Sequence, residues 1–210
     1  MTLPPRFAGA AYSSADDGDL YGDVSARLRF SETLGIPGDW ATVRQVHGSE
    51  VIKVRSAGDH GEADALWTTS PQLPLAVFTA DCAGIVVGSA DAVGVVHAGW
   101  RGARAGVLQK LVGTMAAEGH RLSRLAIGPT IGPCCFEVGE EVASQFPDDL
   151  ALTTWGTPSV DLAGALLRSV DMDGAVDIWT AGTCTRHEAR WFSHRRDGTQ
   201  SRLVALGWIP

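Results

Sequence analysis

The sequence predicts a mixed α/β fold of many short strands and a few helices. Three observations lead there. Short apolar runs recur between breaks rich in Gly, Pro, Ser and Asp, as strands do. Two longer stretches, 103–118 and 161–170, place apolar residues at helical spacing. No repeat, low-complexity tract or long linker interrupts them, so residues 1–210 read as a single domain.

Residues 1–23 are rich in Ala, Ser, Asp and Gly and are expected to be loosely ordered. Over 24–34, Leu28 and Leu34 stand at helical spacing and Gly35 supplies a stop. Residues 42–46 and 51–54 read as strands flanking a turn at 47–50, and 55–62 reads as loop. A strand is expected over 73–78, and 85–88 with 93–96 form a hairpin around 89–91. In helix 103–118, Val107, Leu108, Leu111, Val112 and Met115 form one face, and Gly119 ends it. Strand 125–128 runs into the loop GPTIGPCC, followed by a short helix over 139–146. Asp161 caps a helix through 170, with Leu162, Ala165, Leu166 and Val170 inward. Residues 175–179 and 202–208 read as closing strands.

Apolar content of 45% and charge of 20% are those of a soluble globular protein. A net charge of −7 disfavours a general nucleic-acid binder, which needs a basic face. No apolar stretch approaches the ~20 residues of a membrane span. The first residues lack the apolar core of a secretory signal, so the cytoplasm is the expected compartment. There, Cys82, Cys134, Cys135 and Cys184 are free thiols or metal ligands rather than a disulfide framework. A monomer or small homo-oligomer is expected.

Three potential ligands each follow a strand-like run: His47 in RQVHG, Cys82 in TADC, His97 in VGVVHAGWRG. If those strands lie side by side with their ends on one rim, the three side chains converge. Two imidazoles and a thiolate suit Zn²⁺ and leave a fourth position open, the geometry of a catalytic site. The spacing matches no short metal motif, and a buried structural His97 beside a surface Arg101 is the competing reading. Asp64 or Asp81 would orient a ligand histidine through its second nitrogen; the alternative is that Asp64 caps a turn and Asp81 is a solvated strand end. Arg101 and the N-terminus of helix 103–118 are candidates for anion binding. In the loop GPTIGPCCFEVG, Cys134 and Cys135 are either reactive thiols or small buried hydrophobes, and Phe136 either stacks on a flat base or packs the core. Arg195 and Arg196 bind phosphate or form a solvated turn. Cys184 and His187 make a CxxH pair with no second pair to complete it, so His187 reads as a surface residue; His60 sits in a polar loop.

RQVHG, ADALWT, TADC, VHAGWRG and IGPCCFEVG occur together in this order, with GTCT and FSHRRDG following. The sequence thereby resembles the YfiH/YlmD-like family. Its members carry labels as multicopper polyphenol oxidase or laccase and as purine nucleoside phosphorylase. The resemblance implies a four-layer α/β/β/α sandwich, similar to the catalytic domain of the cytotoxic necrotizing factor toxins. It implies one zinc held by His47, Cys82 and His97. It also implies phosphorolysis of adenosine, guanosine, inosine or methylthioadenosine, with adenosine deamination as a side activity. On that basis Cys82, Asp81, Arg101 and Asp64 are the candidate catalytic residues. Gln45, Arg101, Cys134, Cys135 and Phe136 are the candidates to bind nucleoside and phosphate. Phe136 replaces a frequent Tyr of the family, and Ala83 and Gly84 stand where a proline is common.

In deamination, water activated by zinc attacks the purine C6 while Asp81 or Asp64 moves protons. Multicopper oxidase chemistry needs more imidazoles than six His with no His-x-His pair. Cu²⁺ can nonetheless replace zinc in such a site, because it binds these donors tightly. Two further readings stay open. One is a cysteine hydrolase or amidase with Cys82 as nucleophile and His97 as base; the other is a zinc-stabilised binding protein without turnover.

Overall fold

The computed structural model describes residues 1–172 and 175–210. In chain order the elements are β1 (Ala10–Tyr12), α1 (Val24–Leu34), β2 (Ala41–Arg44), β3 (Val51–Lys53), β4 (Gly58–Glu62), β5 (Ala65–Thr68) and β6 (Leu75–Thr79). There follow β7 (Ala83–Gly88), β8 (Val93–Ala98), α2 (Trp100–Arg104), α3 (Val107–Ala117), β9 (Arg124–Ile127) and α4 (Glu140–Ala143). The chain continues through β10 (Leu150–Leu152), β11 (Pro158–Val160), α5 (Leu162–Arg168), β12 (Asp177–Thr180), α6 (His194–Asp197) and β13 (Leu203–Gly207).

Two sheets dominate. One has the order β1-β13-β6-β2-β4, the other β12-β9-β7-β8-β5-β3, and β10 pairs with β11 apart from both. Strands β5, β7 and β8 of the second sheet are buried along their whole length because both of their faces are covered. Along β7, Ile85 and Val87 face the helices while Val86 faces the other sheet, following the period of two. Tyr12, Val43, Leu75 and Val77 fill the space between the sheets against Leu66, Val86, Val95 and Ala126. Outside the second sheet lie Leu108, Leu111 and Met115 of α3 and Leu162 and Leu166 of α5. Outside the first, Ala26 and Phe30 of α1 pack on Ala76, Phe78 and Leu206. The result is the four-layer α/β/β/α sandwich. Gly84 sets how close the sheets come: a Cβ there would stand 2.7 Å from that of Ala205 on β13.

Several expectations are corrected. Residues 1–23 are not loose: Ala11, Tyr12, Ser13 and Leu20 are buried, and β1 pairs antiparallel with β13. The helix expected over 103–118 is two helices, broken at Ala105, with Gly106 at a φ of 76° serving as the N-cap of α3. The loop expected at 55–62 contains β4, an edge strand of exposed polar residues that pairs in parallel with β2 and is joined to it also by the Arg44–Glu62 ion pair at 3.0 Å. The β10–β11 hairpin has no counterpart in the sequence reading. Among the described residues no helix is long and apolar enough to cross a membrane.

Tyr12 ties the first residues to the core. Its hydroxyl donates to the Ala126 carbonyl at 2.7 Å, and its ring stacks on Trp179 at 5.6 Å. Tyr12→Ala is expected to cost about 3–5 kcal/mol, as deletion of a buried aromatic does. Urea unfolding followed by tryptophan fluorescence measures it; a loss below 1 kcal/mol would mean that residues 1–13 do not belong to the cooperative unit.

Candidate metal centre

The three candidate donors come together, though not along one sheet rim. His47 follows β2 of the five-stranded sheet, and His97 lies in β8 of the six-stranded one. Cys82 sits on the link from β6 to β7, where the chain passes from one sheet to the other. His97 shares the parity of Val93 and Val95, so it faces the space between the sheets. The donor atoms of His47, Cys82 and His97 all lie within 4.8 Å of one another. Cys82 Sγ is 4.0 Å from His47 Nε2, and the two imidazoles meet edge to face at 4.8 Å.

A buried carboxylate holds the group in place. Asp64 is fully buried. Its Oδ1 accepts from His97 Nδ1 at 2.7 Å and from the His47 backbone N–H at 3.0 Å. Its Oδ2 accepts from the N–H groups of Val46 at 3.2 Å and Gly48 at 2.6 Å. The turn at 46–48 therefore wraps this carboxylate, and His47 is held at a φ of 60° that a non-glycine residue rarely adopts. With His97 Nδ1 engaged, Nε2 is the ring atom left to bind a cation, which is how second partners orient metal-binding histidines.

The site fits a metal ion. A Cβ at position 99 would lie 2.9 Å from Cys82 Sγ and 3.1 Å from His47 Cδ2, so only glycine leaves that side of the donors open. His97 is buried, while His47 is exposed and Cys82 partly exposed, giving the set one covered and one accessible side. Burial raises the Cys82 thiol, but His47 and His97 outweigh it and bring it down to about 6. Burial pushes His97 down, while Asp64 and Cys82 carry it up to about 9. The pair thus favours thiolate at Cys82 and imidazolium at His97, and a bound cation would compete with the proton on the imidazole.

Asp81 serves another purpose. Its Oδ1 accepts from the Thr185 hydroxyl at 2.6 Å and its Oδ2 from the Arg195 N–H at 2.7 Å, while its carbonyl accepts from Thr130 Oγ1 and the Ile131 N–H. It ties the later chain to the segment bearing Cys82, and of the two candidate carboxylates only Asp64 bonds a donor histidine. Gln45 has both ends of its carboxamide on the Phe78 backbone, each at 2.7 Å, extending the contact of β2 with β6. Phe136 is buried in the helix-side core, with the Arg195 guanidinium 5.5 Å over its ring. Arg195 also donates to the Glu137 carbonyl, and Arg196 to the carbonyls of Thr185, Glu188 and Trp191, so Arg196 is a structural clamp.

Arg101, on the first turn of α2 beyond Gly99, is exposed. It lies 4.2 Å over the Trp100 ring, and no carboxylate pairs with it among the described residues. Cys134 and Cys135 belong to a different group. Their sulfurs are 3.6 Å apart, and Cys134 is pushed up to about 12 by burial and by the neighbouring thiols of Cys184 and Cys135. Thr130 and Thr185, which fix Asp81, and Gly99 were not singled out from the sequence. Their partners lie far along the chain and no local pattern signals them.

The family model described as multi-copper polyphenol oxidoreductase laccase matches residues 9–210. A purine nucleoside phosphorylase of Deinococcus radiodurans is 37% identical over 194 residues, covering 88% of this chain and 76% of the relative. One of Corynebacterium glutamicum is 33% identical over 217 residues, covering 95% and 88%. Among solved structures, YlmD from Geobacillus stearothermophilus matches with a TM-score of 0.84 at 29% identity, covering 99% of this chain and 94% of its own. The hypothetical protein YfiH of Bacillus licheniformis gives 0.79 at 25%, covering 89% and 80%.

Asp64→Asn is expected to lower stability by about 2–4 kcal/mol and to weaken metal binding roughly 10- to 100-fold. Urea unfolding and competition with a chromogenic chelator measure the two. Burial raises the Asp64 carboxyl, but His97 and the Gly48 and Val46 N–H groups hold it below the usual carboxylate range. Its contribution is therefore complete above the unfolded value of roughly 3.9 and disappears as pH falls through the lower folded value. In metal-free protein, alkylation of Cys82 should rise with a midpoint at about pH 6, because the reactive thiolate forms above that value. Peptide mass mapping reads the rate at Cys82 alone; a midpoint above pH 8 would remove the imidazoles as its cause.

Proposed function

This chain belongs to the YfiH/YlmD-like family, whose model carries the description multi-copper polyphenol oxidoreductase laccase, and from that membership we propose that it is a zinc-dependent purine nucleoside phosphorylase. The observation that carries the reading is the His47–Cys82–His97 donor set, gathered behind an open face in a chain whose relatives bear the name purine nucleoside phosphorylase.

His47, Cys82 and His97 would hold the ion, and Zn²⁺ there supplies a Lewis acid that polarises an oxygen of nucleoside or phosphate. Cu²⁺ is the expected competitor for the same donors. Asp64 acts on the centre without touching substrate, fixing the orientation of His97 and the turn that carries His47. Arg101 supplies the positive charge for phosphate, since it stands just past Gly99 and has no acidic partner among the described residues. In the reaction a phosphate oxygen bonds to the ribose C1′ as the bond from C1′ to the purine breaks. The proton of monobasic phosphate ends on the departing base, and ribose 1-phosphate remains.

Gln45 and Phe136 take no part in this proposal, because backbone and core occupy them. Asp81 acts only by holding the segment that bears Cys82. Purine nucleosides and phosphate are the proposed partners, in a cytoplasmic setting.

A second reading is favoured by one observation. The Cys82 thiol, brought down to about 6 beside two imidazoles, has the character of a nucleophile in metal-free protein. Metal content decides between the two, since a thiolate bound to zinc is not free to attack.

Metal-quantified protein incubated with adenosine should release adenine and ribose 1-phosphate only when phosphate is present. Inosine formed regardless of phosphate would replace phosphorolysis with deamination. Cys82→Ala should lose metal and turnover together; stoichiometric metal in that variant would sink the ligand assignment. Arg101→Ala should raise the KM for phosphate on the order of tenfold, the effect of losing one exposed charged contact. An unchanged phosphate KM would remove Arg101 from the site.

A further inference from the structure

A second group of soft donors lies outside the centre described above. The ligand atoms of Cys134, Cys135 and His187 all lie within 4.8 Å of one another. They come from two distant segments: the loop after β9 and the turn after β12. Cys184 belongs to the same neighbourhood. Its Sγ accepts the Gly132 N–H at 3.2 Å, and a Cβ at Gly132 would stand 3.4 Å from Cys134 Sγ and 3.6 Å from Cys184 Sγ. Gly132 thus lies between the Cys134 and Cys184 thiols, beside the group of three donors.

We propose that Cys134, Cys135 and His187, with Cys184 completing the shell, form a second metal site that takes a soft divalent cation of the Zn²⁺ class. The donor chemistry is that of closed structural zinc sites, three thiolates and one imidazole. The Cys134 and Cys135 sulfurs are 3.6 Å apart. Two thiolates on one tetrahedral zinc, each about 2.3 Å from the metal, stand roughly 3.8 Å apart. Binding releases the thiol protons to solvent, and the cation takes up the charge that three thiolates would otherwise place in one spot. An entry path exists: Gly132, Cys134, Thr183 and Cys184 help line a cavity of about 440 Å³.

The site is a staple, with no part in the reaction itself. It would join the loop carrying Thr130 and Ile131 to the turn carrying Thr185, and all three of these residues bond Asp81. It would thereby fix the segment that bears Cys82 without adding a donor to the first centre.

The proposal is independent of the reaction assigned to the first centre, and its test counts metal rather than turnover. Apo protein titrated with Co²⁺ under reducing conditions, then with Zn²⁺, should bind two equivalents per chain. The thiolate-to-cobalt charge-transfer absorption should be the more intense at the second site, which holds more sulfur. Cys82→Ala should keep one equivalent and that intense band. His187→Asn, a change at an exposed side chain, should weaken the second equivalent at least tenfold and leave the first unchanged. Cys134→Ser should abolish the second, and circular dichroism checks that the variant is folded. One equivalent in the wild type, absent from Cys82→Ala, would overturn the proposal. So would a Cys134–Cys184 disulfide that re-forms in air when the reduced protein is refolded with Zn²⁺ present.

Discussion

The structure depends on a carboxylate without access to water. Asp64 accepts hydrogen bonds from three consecutive backbone N–H groups and one imidazole. Burying a charge is costly unless every lone pair finds a partner, and removing one partner leaves the rest uncompensated. Here the partners come from both large sheets: the turn beyond β2 belongs to one, and β8 to the other. The two sheets cannot shift against each other without exposing Asp64 to an unpaired state. The interaction that makes the fold specific is the same one that aims the candidate ligands.

The centre consequently sits at a seam. His97 is carried by a buried strand and is fixed; His47 rides an exposed turn held by the carboxylate behind it. Cys82 lies between them on the crossing segment, steadied through Asp81 by residues more than a hundred positions later. Rigid elements set two of the donors and a hydrogen-bonded turn sets the third. That division places the adaptable donor on the open side, where a substrate would arrive.

Much of this was legible in the sequence, for identifiable reasons. The β7–β8 hairpin and α3 are strongly apolar at the right period, and each candidate donor follows such a run. β4 was hidden because an edge strand of Gly, Asp, His and Glu carries no alternation. β1 was hidden because two of its three residues are alanines, buried without a strong apolar signal. Asp64 and Asp81 could not be told apart, since their roles depend on partners that only tertiary structure supplies. Gln45 was a candidate substrate contact through the family resemblance; its carboxamide bonds the Phe78 backbone at both ends, a pairing that only the folded chain supplies. Likewise the CxxH at 184–187 looked incomplete until the loop from 128 to 135 folded against it.

β13 lies between β1 and β6, inside the five-stranded sheet, although it is drawn from residues 203–207. On the ribosome, β1, His47, Cys82 and His97 all emerge long before it. The sheet to which β2 belongs cannot close until that strand is inserted, so the first two hundred residues must wait with an open edge. The donors would therefore reach their final geometry only after residues 203–207 have been made. Any ion they hold would be acquired once that strand is in place, and ligation by a shorter nascent chain would precede the seam that shapes it.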